Sequence, residues 1–144
     1  MTISRVAFDD PDTVALRGEL EREHEALYGE DTEPGAKPTA EDTPVFLVVR
    51  QAGEAIACGG LRPAGDGVVE LKRMYVRPAA RGRGVARELL GALEAEARAL
   101  GGTRVVLETG DAQEAAIALY VGAGYREVPC THGHERSRCF ERAL

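Results

Sequence analysis

The segment Arg81-Gly82-Arg83-Gly84-Val85-Ala86 combines residue types that suit the binding of a pyrophosphate. It follows a stretch typical of a strand and precedes a stretch typical of a helix. Backbone N–H groups at the start of a helix are unpaired, and the helix dipole adds partial positive charge there. Glycine lets phosphate oxygens approach the backbone, and arginine neutralises their charge. Pyrophosphate binding is therefore the predicted chemistry, with a tight turn bearing surface arginines as the structural alternative.

The charge distribution supports the same prediction. Six basic residues and no acidic residue lie between Lys72 and Arg87, in a chain whose formal net charge is −6. A basic patch in an acidic protein favours a small polyanion, whereas the net charge argues against general nucleic-acid binding. The segment lacks the GK[ST] of a P-loop, and Arg87 stands where a dinucleotide fingerprint has its last glycine.

Glu70 is the candidate general base, because it lies within an otherwise apolar strand sequence, where a carboxylate is unusual. Such a group could accept a proton from a bound nucleophile, most simply through a water molecule. Strict alternation along the strand places four residues on one face: Glu70, Lys72, Met74 and Val76. The structural alternative is a glutamate at the surface that pairs with Lys72 or Arg73.

The elements that position these residues follow from hydrophobic periodicity and turn signals. A strand over residues 2–8 precedes a helix that begins near Pro11, with Leu16, Leu20 and Leu27 on one face. Residues 29–44 are rich in Pro, Gly, Thr and acidic residues and are expected to form a long exposed loop. The later predicted elements are strands over 45–50, 54–61 and 68–76, a helix over 83–100, a strand over 104–108, a helix over 112–123 and strands over 125–128 and 137–142. This order predicts a mixed α/β fold.

Length and composition limit the remaining possibilities. The 144 residues are 44% hydrophobic, which suits a single domain over 1–144 with a proper core. No apolar run approaches the roughly 20 residues of a membrane span, and the N-terminus lacks the layout of a signal peptide. Membrane association is therefore not expected.

The cysteines and histidines give weak signals only. Cys58, Cys130 and Cys139 form an odd set without CxxC spacing, so neither a disulfide framework nor a cysteine zinc site is expected. The small, odd number of cysteines favours a location of the protein in the reducing cytoplasm. His132 and His134 are two residues apart on an expected loop, which is too little to predict a metal site.

Residues 70–90, ELKRMYVRPAARGRGVARELL, resemble the cofactor-binding motif of the GNAT superfamily of N-acetyltransferases. That motif reads [QR]-x-x-G-x-[GA] after a strand, and Arg81, Gly84 and Ala86 fulfil it. The sequences LETG (107–110) and AIALYVGAGY (116–125) resemble the family's later segment, A-x-x-L-Y-x-x-x-G-[FY]. The resemblance covers residues 45–125. It implies a mixed, mostly antiparallel sheet, flanked by helices, whose two central parallel strands splay apart.

The resemblance also implies acetyl-CoA as cosubstrate, no metal, and direct attack of a bound amine on the thioester. The Met74 backbone N–H would polarise the acetyl carbonyl, and the Val76 backbone would pair with the pantetheine amides. The backbone of residues 82–86 would hold the pyrophosphate. The cofactor-binding residues implied in this way are Met74, Val76, Arg81, Gly82, Arg83, Gly84, Val85 and Ala86.

Tyr120 occupies the position of the tyrosine that protonates the leaving thiolate in the family. A phenol, with an ordinary pKa of about 10, is protonated at neutral pH and can donate. The structural alternative is a tyrosine that only packs beside the LETG strand.

In relatives, the first helix and the loop after it face the acceptor, so His24 and Tyr28 are candidate substrate-binding residues. The same region carries many acidic residues: Glu19, Glu21, Glu23, Glu25, Glu30, Asp31, Glu33, Glu41 and Asp42. An acidic mouth would favour a cationic amine, although simple solvation of these side chains is the alternative.

Several functional alternatives stay open at this point. A small-molecule amine is the expected acceptor, and an N-terminus or lysine of a peptide is the alternative. A non-catalytic acyl-CoA-binding module would need residues 81–86 but neither Tyr120 nor Glu70. The sequence does not decide the acceptor or the oligomeric state, and a homodimer is left open.

Overall fold

The computed structural model describes residues 1–29, 36–131 and 135–144. The predicted order of elements is confirmed, with bounds that differ by a few residues. In chain order the elements are β1 (Thr2–Arg5), α1 (Pro11–Tyr28), β2 (Val45–Gln51), β3 (Glu54–Gly65), β4 (Val68–Val76), a 3-10 turn (Pro78–Ala80), α2 (Val85–Ala99), β5 (Arg104–Gly110), α3 (Glu114–Gly122), β6 (Arg126–Val128) and β7 (Ser137–Ala143).

The strands of the described residues form one sheet in the order β1-β2-β3-β4-β5-β7-β6. All neighbouring strands are antiparallel except β4 and β5, which are parallel. The β2–β3 turn is set by two residues with positive φ, Ala52 and Gly53. The β3–β4 turn repeats this pattern at Asp66 and Gly67, as two-residue hairpins require.

Helix α2 covers one face of the sheet. Leu89, Leu90 and Leu93 are buried at 2% exposure or less, against strand residues that include Val69 and Leu71. This side forms the larger apolar core. Leu100 follows the helix end and is 40% exposed.

Helix α1 covers the opposite face over β2, β3 and β4. Asp10 caps the helix by accepting a hydrogen bond from the Asp12 N–H. Leu16 and Leu20 are buried with Tyr75 in a second apolar cluster. Leu27, on the same helical face, is 42% exposed. The second half of α1 lies beside a cavity, which Leu20, Glu21, His24, Glu25 and Tyr28 line.

Strand β4 contains a bulge that changes which side chains share a face. Arg73 has φ 57°, and the register with β3 shifts between Cys58 and Gly60. Met74 and Val76 consequently pack on the α2 side, as Val69 and Leu71 do. The prediction that Glu70, Lys72, Met74 and Val76 share one face is therefore wrong, because the bulge reverses the alternation.

The two parallel strands separate, as the resemblance implied. β4 and β5 pair only at Val68 with Arg104, Val69 with Val105, and Glu70 with Val106. Beyond this point β5 continues to pair with β7 up to Gly110. The second half of β4 therefore faces a gap in the sheet where its neighbour would lie.

The expectation of unpaired cysteines is wrong at one pair. Cys130 and Cys139 form a disulfide with a Cα–Cα distance of 5.4 Å. The pairing of β6 with β7, which sets Val128 opposite Cys139, brings the two residues together. Spacing along the chain gave no sign of this pairing. Cys58 is a free, buried thiol.

Candidate active site

A cavity of about 300 Å³ opens where β4 and β5 separate. β4 contributes residues 71–74, β5 contributes residues 107–110, and α1 forms a side wall. The cavity brings together four residues that the sequence had singled out: His24, Tyr28, Met74 and Tyr120. Glu70 and the residues of the glycine-rich segment do not line it.

Tyr120 stands at the floor of this cavity, on α3. The residue is 6% exposed, and its ring lies 5.8 Å from that of Tyr125 and 6.4 Å from that of Phe140. Burial raises the pKa of Tyr120 well above its ordinary value. The phenol therefore stays protonated throughout the physiological pH range. Within the described part of the chain, no group shares a hydrogen bond with its hydroxyl.

The acidic residues of α1 divide into two groups. Glu19 pairs with Arg77 at 2.8 Å, and Glu23 pairs with Arg81 at 2.7 Å. Glu21 and Glu25 instead line the cavity. The lining also includes cationic side chains: Lys37, Lys72, Arg73 and Arg136. The mouth is consequently mixed in charge, and only some of the acidic residues of α1 line the cavity.

His24 is held by a residue that follows β5. Nε2 of its imidazole lies 3.1 Å from Nε2 of Gln113. The Gln113 Oε1 accepts hydrogen bonds from the Thr109 hydroxyl and the Gly110 N–H, both at 3.0 Å. The α1 wall is thus joined to the end of β5 by a network of side chains.

Tyr28 lies in the same wall of the cavity and packs against the end of β5. Its hydroxyl is buried and packs so closely on Gly110 that a side chain there would collide with it. The Arg136 guanidinium lies 4.8 Å from the ring centre and pairs with Asp111 at 2.9 Å. Burial raises the pKa of Tyr28. Tyr28 is thus a packed wall residue that also borders the cavity.

The glycine-rich segment forms a loop at the start of α2. Gly82 and Gly84 have φ values of 77° and 79°, and open space surrounds the position of a side chain at either residue. Over the described residues, the backbone N–H groups of 82–87 donate to no carbonyl. Unpaired N–H groups at the start of a 15-residue helix suit an anion.

Arg81 connects this loop to β4 and α1. Its Nε donates to the Val76 carbonyl at 2.8 Å, and its Nη2 contacts the Glu23 carboxylate. The side chain therefore holds the chain between β4 and α2 in place, and a carbonyl such as that of Val76 can still accept a second hydrogen bond.

Glu70 lies apart from the cavity, on the other side of the β4 backbone from Val69 and Leu71. Its carboxylate pairs with Arg62, the residue opposite it on β3, at 3.3 Å. It lines a second, wider cavity, which shares Leu71, Lys72, Leu107 and Glu108 with the first. The partner is neither Lys72 nor Arg73, the two that the sequence suggested.

Sequence reasoning missed Gln113 and Arg136. Gln113 immediately precedes α3, and its contact with His24 joins residues 89 positions apart. A polar side chain just before a helix was the only available signal, and such residues usually cap helices. His132 and His134, with the loop residues Glu30, Asp31 and Glu33, lie outside the described residues.

A sheet that opens between two parallel strands, beside a helix start suited to phosphate, is the arrangement that the resemblance to the GNAT superfamily of acyltransferases implied. Comparison with known proteins gives the same class of enzyme. The chain belongs to the acetyltransferase (GNAT) family, whose model matches residues 12–125, and it is accordingly an acetyltransferase enzyme. The resemblance stated from the sequence is thereby confirmed.

Individual relatives agree with this family. The IAA acetyltransferase of Azospirillum brasilense is 37% identical over 134 residues, covering 88% of this chain and 85% of the relative. A provisionally named acyl-CoA N-acyltransferase of Klebsiella pneumoniae superposes with a TM-score of 0.86 at 33% identity, over 99% of this chain and 97% of its own. A GNAT acetyltransferase of Elizabethkingia anophelis with acetyl-CoA bound shares the fold, with a TM-score of 0.73 at 16% identity, over 99% of this chain and 97% of that chain.

Among the described residues, no helix combines the length and apolar content needed to cross a membrane.

Proposed function

We propose that this enzyme transfers the acetyl group of acetyl-CoA to a primary amine, with both substrates bound together. The amine nitrogen forms a bond to the acetyl carbon, and the bond from that carbon to sulfur breaks. The thiolate receives a proton, and the ammonium formed at the acceptor loses one. The observation that carries the proposal is the meeting of Met74 and Tyr120 at the gap between β4 and β5.

The chain's own residues fit acetyl-CoA. The N–H groups of 82–87 would hold the pyrophosphate, and the open space around Gly82 and Gly84 leaves room for its oxygens. Arg83 is exposed beside them and adds positive charge. Val85 is buried and anchors the start of α2, while Ala86 presents its backbone. The gap beside β4 would take the pantetheine arm, with the Val76 and Met74 backbones along it.

Tyr120 is the proposed acid. Tyr120 lines the cavity, and burial raises its pKa, so the phenol stays protonated near neutral pH. Cys58 is not a candidate for a covalent acetyl step, because burial raises the pKa of its thiol to about 12. A thiol of this kind forms almost no thiolate near neutral pH, so direct attack by the amine is favoured.

The base is proposed to be Glu70, acting through water. Its ion pair with Arg62 and its place in the second cavity mean that the proton must travel around β4 to reach it. Glu25 and Glu23 of α1 are the next candidates. Glu25 lines the acceptor cavity, whereas Glu23 is engaged with Arg81.

A small amine is the favoured acceptor, because the first cavity, at about 300 Å³, is at the lower end of the size of small-molecule sites. The specific observation that favours a peptide instead is the second cavity, which continues from the first along the sheet. Release of free thiol from acetyl-CoA, measured with amino acids, polyamines, aminoglycosides and short peptides, separates the two. No release with any of them would favour a binding module.

Acetyl-CoA binding is tested by Gly84→Val, with Gly101→Val as its matched control. Both glycines have φ near 80° and open space around the added side chain, so the backbone strain is similar. They stand at opposite ends of α2. Calorimetry should show acetyl-CoA binding lost in Gly84→Val and kept in Gly101→Val. Equal affinity in both folded variants would refute the assignment of the loop.

A cytoplasmic location is also proposed, although the Cys130–Cys139 disulfide is of a kind that reducing compartments rarely keep. Trapping of thiols by alkylation in intact cells tests it. Alkylation of both Cys130 and Cys139 would agree with a cytoplasmic location, and a retained disulfide would contradict it.

The oligomeric state is a separate question. A homodimer is the alternative to a monomer, and sedimentation equilibrium distinguishes them.

A further inference from the structure

The Gln113 side chain has donor and acceptor ends that the surrounding atoms fix. Its Oε1 lies 3.0 Å from the Thr109 hydroxyl and 3.0 Å from the backbone nitrogen of Gly110. Its Nε2 lies 3.1 Å from Nε2 of His24. Because Gln113 stands between the end of β5 and the start of α3, both elements hold it in place.

The Gly110 contact decides the orientation of the amide. A backbone N–H can only donate, so the atom that faces it must be the amide oxygen. The opposite orientation would set two donors 3.0 Å apart. The amide nitrogen, which also can only donate, therefore faces His24. An imidazole nitrogen that accepts this hydrogen bond must be unprotonated, and the ring proton must lie on Nδ1.

We infer that Gln113 is a positioning residue: it holds His24 in the neutral tautomer protonated on Nδ1 and keeps an imidazolium out of the acceptor cavity. An imidazolium would have to donate from Nε2 towards an amide group that offers only donors. The catalytic meaning of this role rests on the proposed function, whereas the tautomer is a property of the folded chain.

The charged surroundings explain why such a device is needed. Among the described residues, the titratable and charged groups that line this cavity or contact its wall are Glu21, Glu25 and Tyr28 of α1, Lys37, Lys72 and Arg73, Glu108 and Asp111, Tyr120, and Arg136. Glu21 and Glu25 favour a protonated His24, because opposite charges stabilise each other. The Gln113 contact opposes them at hydrogen-bond distance. The two carboxylates then remain available to a cationic acceptor.

The tautomer also excludes His24 from one catalytic role. Its only unprotonated nitrogen is occupied by the Gln113 donor, so it cannot at the same time receive the acceptor's proton. The proton must pass to a carboxylate. His24 thus contributes shape and hydrogen bonding to the cavity wall.

The inference is tested by nitrogen-15 NMR of the imidazole rings, with the His24 signals assigned by their loss in His24→Gln. In the wild-type protein near pH 7.5, Nδ1 should be protonated and Nε2 unprotonated. In Gln113→Glu, one carboxylate oxygen still accepts from Thr109 and Gly110, and the other accepts from His24. The proton should therefore move to Nε2, and the His24 titration midpoint should rise by about one to three pH units.

Ala115→Glu is the matched control, because it adds the same charge at an exposed position of α3. It should leave the tautomer unchanged and move the midpoint by a few tenths of a unit only. A wild-type ring protonated on Nε2 would overturn the inference, and this outcome does not depend on how Gln113→Glu behaves. An unmoved titration in Gln113→Glu, or an equal shift in both variants, would overturn it as well.

Calorimetry of the wild-type chain with acetyl-CoA separates this inference from the proposed function. A chain that binds no acetyl-CoA but shows the Nδ1-protonated ring would refute the function and leave the tautomer intact. Binding of acetyl-CoA with an Nε2-protonated ring would do the reverse.

Discussion

Tyr120 and Tyr125 are two buried tyrosines with adjacent rings, and their hydroxyl groups are expected to serve different purposes. Tyr120 lines the cavity. The Tyr125 hydroxyl donates to the buried Glu94 carboxylate at 2.8 Å, which also receives the Arg142 guanidinium. Removal of each hydroxyl by a change to phenylalanine should therefore affect a different measurement.

Tyr120→Phe should lower kcat by about 10²–10⁴, the usual contribution of a general acid. This range corresponds to about 3–5 kcal/mol of barrier. The melting temperature should hardly change, because the ring contacts remain and the lost hydroxyl has no hydrogen-bond partner among the described residues. Since burial raises the pKa of Tyr120, the wild-type rate should also show no alkaline decline from this group below about pH 10.

Tyr125→Phe should show the opposite pattern. Loss of a hydrogen bond to a charged group costs about 1.5–3 kcal/mol of unfolding free energy. At about 2–4 °C per kcal/mol for a chain near this size, the melting temperature should fall by several degrees. The value of kcat should stay near that of the wild type, because Tyr125 does not line the cavity.

Thiol release from acetyl-CoA, followed with a disulfide chromogen and the best acceptor of the panel, measures kcat. The protein adds little background, because Cys58 is buried and the other two cysteines are bonded to each other. Scanning calorimetry measures the melting temperature. If Tyr120→Phe kept kcat within a few-fold of the wild type, Tyr120 would be a packing residue and the proposed acid would be wrong.

Three further predictions concern Glu70, Gly60 and Gly91. Glu70→Gln should lower kcat/KM near neutral pH, and kcat/KM should recover at higher pH, where the amine loses its proton unaided. If the pH profiles of kcat/KM for the wild type and Glu70→Gln have equal shape and height, the base role is excluded and the pairing with Arg62 is the function of Glu70. Gly60→Ala should destabilise by about 1–3 kcal/mol in urea unfolding, because the new methyl would lie 2.6 Å from the Phe46 ring. Gly91→Ala, in an open position of α2, should instead stabilise by about 0.5–1 kcal/mol, and destabilisation there would contradict the reasoning.

Local chemistry explains which parts of the fold the sequence could predict. The Gly53 and Asp66-Gly67 turns need positive φ, which glycine and aspartate adopt readily, so both hairpins were predictable. The glycine-rich segment combined a turn, charge and a helix start within six residues. Its position between β4 and α2 could therefore be predicted from neighbouring residues alone.

The features that the sequence concealed depend on distant contacts. The bulge at Arg73 places a non-glycine residue at φ 57° in mid-strand, which no local preference indicates. The disulfide depends on the pairing of β6 with β7. The orientation of His24 depends on Gln113, which only the packing of α1 beside the end of β5 brings within reach.

The Arg73 bulge also bears on how the site is built. Without it, strict alternation would turn Met74 to the face that Glu70 occupies, away from the α2 core. With it, Met74 and Val76 pack against that core, while their backbone lines the gap beside β5. Arg81 then fixes this half of β4 from outside, through the Val76 carbonyl and the Glu23 carboxylate of α1. Arg81 thus links α1 to the loop at the start of α2. Part of the acidity of α1 therefore stabilises the fold, because Glu19 and Glu23 pair with Arg77 and Arg81, whereas Glu21 and Glu25 line the cavity.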